Sequence, residues 1–495
     1  MKKNKDDIIN IVLFGIVIFV IVIKRELNNL DEIWIFNMAR NVANGLLPYK
    51  DFSMIITPGL PILCGGILKI FGTEMFVMRI LAVIVNTVII FLVYKILKLL
   101  DINKYVSTGI ALLISSLFIK CFCIDYNFMI LMIALINLYF ELKNYNKTQN
   151  VFEYNIKMEI LLGILAGISI TMKQTTGISL AVTFIGYKLL VVRSKDEFKH
   201  FIKIAITRLI AVMIPVLLLI LYLLCNGIMG EFIDYAILGI NDFSNSKPYT
   251  NLLKGELRYL AVLVPLTITS LFIMSMKRND NILTILFAYS ISTIIVVYPI
   301  ADTIHFLIAG TIAMIAGIYM LAKLYMSKVN GKIEKKEQIW IESFIRAMVI
   351  ISAIIISLAS IYVTINILIK IDKYKTLENF KYIPVSENLE ERISKVGQFI
   401  KDKNEVYILD PSAALYMIPL NRYNKNYDMF MKGNFGAKGS NGLIEDLATK
   451  ENATILILND KYSMNWATPV DVIQYIKNNY TKCGEIEIFD IYEKY

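Results

Sequence analysis

A few polar residues stand at the ends of long apolar runs, placed to do chemistry at a membrane surface. Asp31 and Glu32 are adjacent carboxylates opening a stretch in which Ile35, Met38, Ala39 and Val42 recur at helical spacing until Gly45 stops the run. Asn29-x-x-Glu32 has the spacing of a capping box, and acids suit a helix N-terminus, so a cap alone would explain the pair. Their place just after an apolar run, ahead of the aromatic and proline-rich stretches Leu47–Phe52 and Thr57–Pro61, favours contact with a ligand. Asp125 lies in a turn between two apolar runs, as a helix cap or a contact to a polar ligand. Lys173 is the one charge in another short turn, either a snorkelling amine or a counter-charge for a phosphate. Asp302-x-x-His305 puts an N-cap acid and one of two histidines on one helix face, suited to a phosphate, a sugar hydroxyl or a metal.

The elements that must hold these residues follow from composition. Of 495 residues, 56% are hydrophobic and only 19% charged, whereas a soluble chain is nearer roughly 45–50% apolar and a quarter charged. That excludes a cytosolic enzyme, a secreted disulfide scaffold and a disordered chain. The five cysteines are too scattered for a disulfide framework or a zinc site. Apolar runs long enough to cross a bilayer fall at 8–23, 76–94, 105–120, 126–142, 158–172, 176–192, 203–225, 258–276, 281–298, 304–325 and 341–370. The first ends in Lys24-Arg25 without a small-residue cleavage site and reads as an anchor. The stretch 55–71, broken by Pro58, Gly59, Pro61, Gly65 and Gly66, is ambiguous.

Charge resolves the ambiguity. If 55–71 does not cross and the N-terminus is cytoplasmic, the short lysine- and arginine-rich loops near 95–104, 143–157, 193–203, 277–278 and 323–336 all lie inside. The net charge of +10 is then a set of cytoplasmic connectors, not a nucleic-acid footprint. The reading is a polytopic α-helical membrane protein of about eleven spans, residues 1–371, whose outer segment 24–75 carries interfacial helices. An extracytoplasmic α/β domain follows at 372–495, with expected helices 387–402, 441–449 and 469–479 and strands 405–409, 453–459 and 484–492. Arg79, Glu141, Lys188, Arg208, Arg258 and Arg346 each fall within a turn or two of a span end, which argues against an ion-coupled transporter. No Gly-rich phosphate loop or nucleophile elbow is present.

The order of motifs resembles that of the polytopic glycosyltransferases of the GT-C fold, in the branch of bacterial protein mannosyltransferases and aminoarabinose transferases. The matching features are Asp31-Glu32, Gly45-x-x-x-Tyr49-x-Asp51, the proline-rich segment ending Phe71-Gly72, Arg79, the Gly163-x-x-x-Gly167 run ending Met172-Lys173, and Pro299 with Asp302-x-x-His305. They cover roughly residues 5–325. The resemblance implies a polyprenyl-phosphate sugar donor drawn from the outer leaflet, and a glycan, lipid or protein acceptor of the cell envelope. It implies an inverting displacement with Asp31 as base and Glu32 as helper. Lys173, Arg40 and His305 would stabilise the leaving phosphate, and Tyr49, Asp51 and Asp125 would contact substrate. No cofactor is firmly implied; a divalent metal stays open, with Asp302 and His305 as its candidates and Asp51 and Asp125 as further acceptor or metal contacts. The alternatives are a transporter or flippase of lipid-linked glycans, and a non-catalytic partner in an envelope complex.

Overall fold

A computed structural model describes the chain apart from residues 1, 29, 241–247, 279, 299, 451, 460, 463–467 and 495, and apart from 330–376, where only scattered positions and the helical stretch 358–366 are described. Among the described residues six helices are long and apolar enough to cross a membrane. They lie within α1 (Lys2–Lys24), α4 (Met75–Leu99), α6 (Tyr126–Thr148), α9 (Lys195–Cys225), α11 (Arg258–Arg278) and α13 (Thr303–Val329). Shorter helices α5 (Lys104–Leu117), α7 (Ile156–Met172), α8 (Gln174–Gly186) and α12 (Asn281–Ile294) occupy other expected spans. The expected span 341–370 falls largely outside the described residues. The chain is a multi-pass α-helical membrane protein with a small sheet region near its C-terminus.

The chain divides into two compact units. The first comprises residues 1–23, 80–217 and 247–368. Its helices pack through small residues. A Cβ on Gly167 of α7 would lie 2.2 Å from the Val212 carbonyl oxygen of α9, and one on Gly163 would lie 2.5 Å from the Ala211 Cβ. Asp6 and Asp7, near the start of α1, pair with Lys104 at the start of α5 and with Lys95 and Lys98 near the end of α4.

A buried charge cluster departs from the sequence reading. Helix α9 starts at Lys195, before the expected span, so Arg208 lies about three and a half turns inside it. Arg208 is fully buried and donates to Glu141, Glu159 and the Phe184 carbonyl. Lys188 donates to the Val151 carbonyl at 2.7 Å and stands 3.7 Å from Glu141 and 3.9 Å from Glu159, while the Tyr187 hydroxyl donates to Glu141 at 2.6 Å. Two acids and two bases make the cluster neutral, which is how an apolar interior tolerates it.

The second unit comprises residues 24–79, 218–246 and 369–495. It contains α2 (Leu30–Ala43) and α3 (Gly59–Phe71). Helix α3 has 13 residues, about 20 Å of rise against a hydrocarbon core of about 30 Å. Gly65 lets it approach α2: a Cβ there would sit 2.7 Å from the Val42 side chain. Next come α10 (Met229–Phe232), α14 (Glu387–Ile400), β1 (Val406–Leu409), α15 (Ala414–Met417), α16 (Gly439–Ala448), β2 (Thr454–Leu458), α17 (Val470–Asn479), β3 (Thr481–Ile486) and β4 (Phe489–Glu493). The sheet order is β1-β2-β4-β3, with β1 and β2 parallel and the other pairs antiparallel. The single strand expected at 484–492 is a hairpin, because Glu487 turns the chain in the left-handed region (φ 54°). Ile455, Ile457, Leu443, Val472 and Phe430 belong to the core on this sheet.

Candidate functional site

In the first unit, polar side chains gather at the starts of α6, α8 and α13. Asp125 caps α6: its Oδ1 accepts the Asn127 amide at 2.7 Å. It is 4% exposed, and burial raises its carboxyl above the usual range even though the Asn127 amide, His305 and Lys173 pull the other way. Lys173 forms the corner between α7 and α8 in an extended conformation (φ −156°, ψ 120°). The corner is tight, since a Cβ on Gly177 would lie 2.3 Å from the Ser169 carbonyl oxygen. The Lys173 ammonium donates to Asn127 Oδ1 at 3.1 Å and lies 5.0 Å from the Tyr126 ring centroid. Asp302 caps α13: its Oδ1 accepts the His305 amide at 2.9 Å and lies 2.8 Å from His305 Nδ1.

In the second unit, Asp31 and Glu32 occupy the first turn of α2, and Asn29 of the expected capping box lies outside the described residues. Asp31 is half-buried and Glu32 is buried. Glu32 receives Arg79 Nε at 3.0 Å and Nη2 at 3.2 Å, and Arg25 Nη2 stands 3.0 Å away. Burial alone would raise the Glu32 carboxyl; the two guanidiniums outweigh it and hold the group below its ordinary value. Tyr49 has a left-handed backbone (φ 66°) and donates its hydroxyl to the Ile56 carbonyl at 2.6 Å, with Phe232 edge-on to its ring. Asp51 accepts the Leu47 amide at 2.7 Å, closing the same loop. Arg40 is 2% exposed and donates to Asn421 Oδ1 at 2.7 Å.

Sequence reasoning gave no roles to Arg25, Asn127 or Asp428. Asn127 had one local signal, its position two residues after a capping acid. Arg25 and Asp428 had none, because their partners lie on other segments. Among the described residues no three His, Cys, Asp or Glu side chains gather to hold a metal. Asp302 and His305 contact each other and supply two donors, fewer than the three or four protein ligands of a zinc site.

Residues 57–221, about a third of the chain, match the sequence model of the dolichyl-phosphate-mannose-protein mannosyltransferase family. Among solved structures the chain is similar in fold to ArnT from Cupriavidus metallidurans bound to undecaprenyl phosphate (TM-score 0.57, 11% identity, 98% of this chain and 97% of that one). It is likewise similar to the apo state of that ArnT (TM-score 0.56, 12% identity, 99% and 98%). The Archaeoglobus fulgidus oligosaccharyltransferase complex with Zn and sulfate aligns at a TM-score of 0.49 and 13% identity, over 98% of this chain and 73% of that one. No curated protein matches the chain in sequence. The fold is therefore GT-C-like, a multi-pass helical membrane region with a small C-terminal sheet region, and a third of the chain is similar to the mannosyltransferase family.

Proposed function

We propose that the chain transfers a sugar from a polyprenyl-phosphate donor to an envelope glycan, lipid or protein acceptor on the outer face of the membrane. The observation that carries this reading is the Lys173 ammonium, oriented by Asn127 at the corner of α7 and α8 inside the segment that matches the dolichyl-phosphate-mannose-protein mannosyltransferase family. An ArnT of the same fold binding undecaprenyl phosphate supports a donor of that class. Asp31 serves as base. It takes the proton of the acceptor hydroxyl while that oxygen bonds to the anomeric carbon and the carbon–phosphate-oxygen bond breaks, inverting the centre. The phosphate departs with the bonding electron pair, and Lys173, with His305, stabilises its charge. Asp51 and Asp125 are acceptor contacts, and Tyr49 shapes the loop that carries Asp51. Arg40, whose nearest acceptor is Asn421, holds α2 in this reading.

The N-terminus is cytoplasmic in this proposal and the C-terminal domain, 372–495, extracytoplasmic. The pairing of Asp6 and Asp7 with lysines at the end of α4 and the start of α5 supports it, because it sets the start of α1 beside the basic connector. The test is the full chain in nanodiscs with a panel of undecaprenyl-phosphate sugars, measuring released undecaprenyl phosphate and acceptor glycosylation. Wild-type transfer with none in Asp31→Asn supports the reading. Undiminished transfer in that variant removes Asp31 as base, and lipid-linked sugar flux without transfer selects the transporter alternative.

A further inference from the structure

Helix α2, which carries Asp31, is bound along its length by one stretch of the tail. One turn after Asp31, the Trp34 indole donates to the Pro411 carbonyl at 2.7 Å. A turn further, Asn37 Nδ2 contacts Asp428 Oδ2 at 3.4 Å. Arg40 donates to Asn421 Oδ1 at 2.7 Å, and Asn44 Nδ2 reaches the same oxygen at 3.4 Å. Phe36 packs edge-on to Phe380, ring centroids 5.9 Å apart.

This stretch is itself fixed to the sheet region. It follows β1 directly; Asn424 donates to the Val406 carbonyl of β1, and the Asp428 carbonyl accepts the Ala414 amide at 3.2 Å. Asp410 is buried and accepts both the amide and the hydroxyl of Ser412 at 2.9 Å. The contact on α2 is also sealed: Asn37, Arg40 and Asp428 are 6%, 2% and 4% exposed.

We propose that residues 410–428 are a positioning element for α2, with Asp428 as its pin, so that the tail domain sets the aim of the half-buried Asp31 carboxyl. The proposal rests on the reading of Asp31 as base. Asp428 is a positioning residue, since it contacts Asn37 and lies in the field of Arg40, the charged group acting on it. Asn37 Oδ1 and Asp428 Oδ1 are buried without a hydrogen-bond partner, so the contact holds acceptors in want of a donor, which a protonated carboxyl supplies. In agreement, burial pushes the Asp428 carboxyl up to about 7. The pin therefore changes charge near neutrality.

The experiment uses the full chain in nanodiscs. The chain has three tryptophans, so Trp340→Phe with Trp466→Phe leaves Trp34 as a reporter of α2. Asp428→Ala should shift Trp34 emission and lower kcat by about tenfold or more, with KM for an undecaprenyl-phosphate sugar little changed, because small misplacements of a catalytic group carry costs of this order. Asp428→Asn, an uncharged isostere, should restore most of the activity and flatten the pH profile around neutrality. Unchanged Trp34 emission in Asp428→Ala, or shifted emission with unchanged kcat, overturns the proposal. If Asp428→Ala fails to fold, Asn421→Ala removes the nearest acceptor of Arg40 and is read the same way. Asp31→Asn in the reporter background separates the premises: retained transfer there removes the base, while Trp34 emission still judges the α2 contact.

Discussion

The Arg79 guanidinium holds the Glu32 carboxylate in a two-point grip, Nε to Oε1 at 3.0 Å and Nη2 to Oε2 at 3.2 Å, with Arg79 fully buried and Glu32 1% exposed. Neighbouring carboxylates thus have different fates: Glu32 is committed to an ion pair and Asp31 is half-buried beside it. Glu32→Ala should destabilise the protein by about 3–5 kcal/mol, the usual cost of leaving a buried charge without its partner. Asp31→Asn, a near-isosteric change at a half-buried group, should cost clearly less. Thermal unfolding in detergent compares the two. The Glu32 carboxyl is held below its ordinary 4.5, so its contribution to stability is full above that value and fades as pH falls through the lowered one.

Lys173 is expected to act on the donor. Lys173→Ala should weaken donor use by roughly 10- to 100-fold in kcat/KM, on the scale of about 1.4–2.7 kcal/mol for a charge-assisted contact to phosphate. Lys173→Arg should restore part of it. Steady-state kinetics with a water-soluble short-chain polyprenyl-phosphate sugar reads the effect, and an acceptor titration should stay near wild type.

Asp428 gives a pH signature of opposite sign to Glu32. Its carboxyl is raised from 3.8 to about 7 by burial, so the folded chain holds this proton where the unfolded chain has released it. Its contribution to stability should therefore fall as pH rises from about 4 to about 7 and be level above that range. Melting temperatures of wild type and Asp428→Asn across this range test the prediction, with the difference between the curves carrying the slope.

The buried cluster of the first unit predicts a strongly asymmetric mutational response. Arg208→Ala leaves Glu141 and Glu159 facing Lys188 alone and should cost about 3–5 kcal/mol. Replacing Arg208 and Glu159 together with Met and Gln should recover much of the loss, since Glu141 and Lys188 then remain as a neutral pair. Folded yield after detergent extraction and thermal unfolding measure both.

Much of the fold is legible in the sequence. Runs such as 76–94 and 304–325 are long and apolar enough that only helices satisfy their backbone in lipid, and α4 and α13 occupy them. Pro58, Gly59 and Pro61 marked 55–71 as different, and α3 is indeed short. Asp125 and Asp302 were legible as caps because a cap is a local signal. The start of α9 was not, since Lys195-Asp196-Glu197 is polar and extends the helix beyond its apolar run. The hairpin at 481–493 reads in sequence as one strand because Glu487 is not a usual turn residue. Contacts such as Lys173–Asn127 and Asn37–Asp428 join residues 46 and 391 positions apart, and no periodicity encodes such pairs.

The cluster of Glu141, Glu159, Lys188 and Arg208 also constrains how the protein is made. The acids are synthesised first, and Arg208 follows Glu141 by 67 residues. At about 5–20 residues per second the first acid precedes its guanidinium partner by roughly 3–13 seconds. Through most of that interval α6, and then α7, carry carboxylates that Lys188 and finally Arg208 have yet to meet. Insertion therefore has a waiting state, in which these two helices stay near water or the insertion machinery until the helix bearing Arg208 arrives to neutralise them.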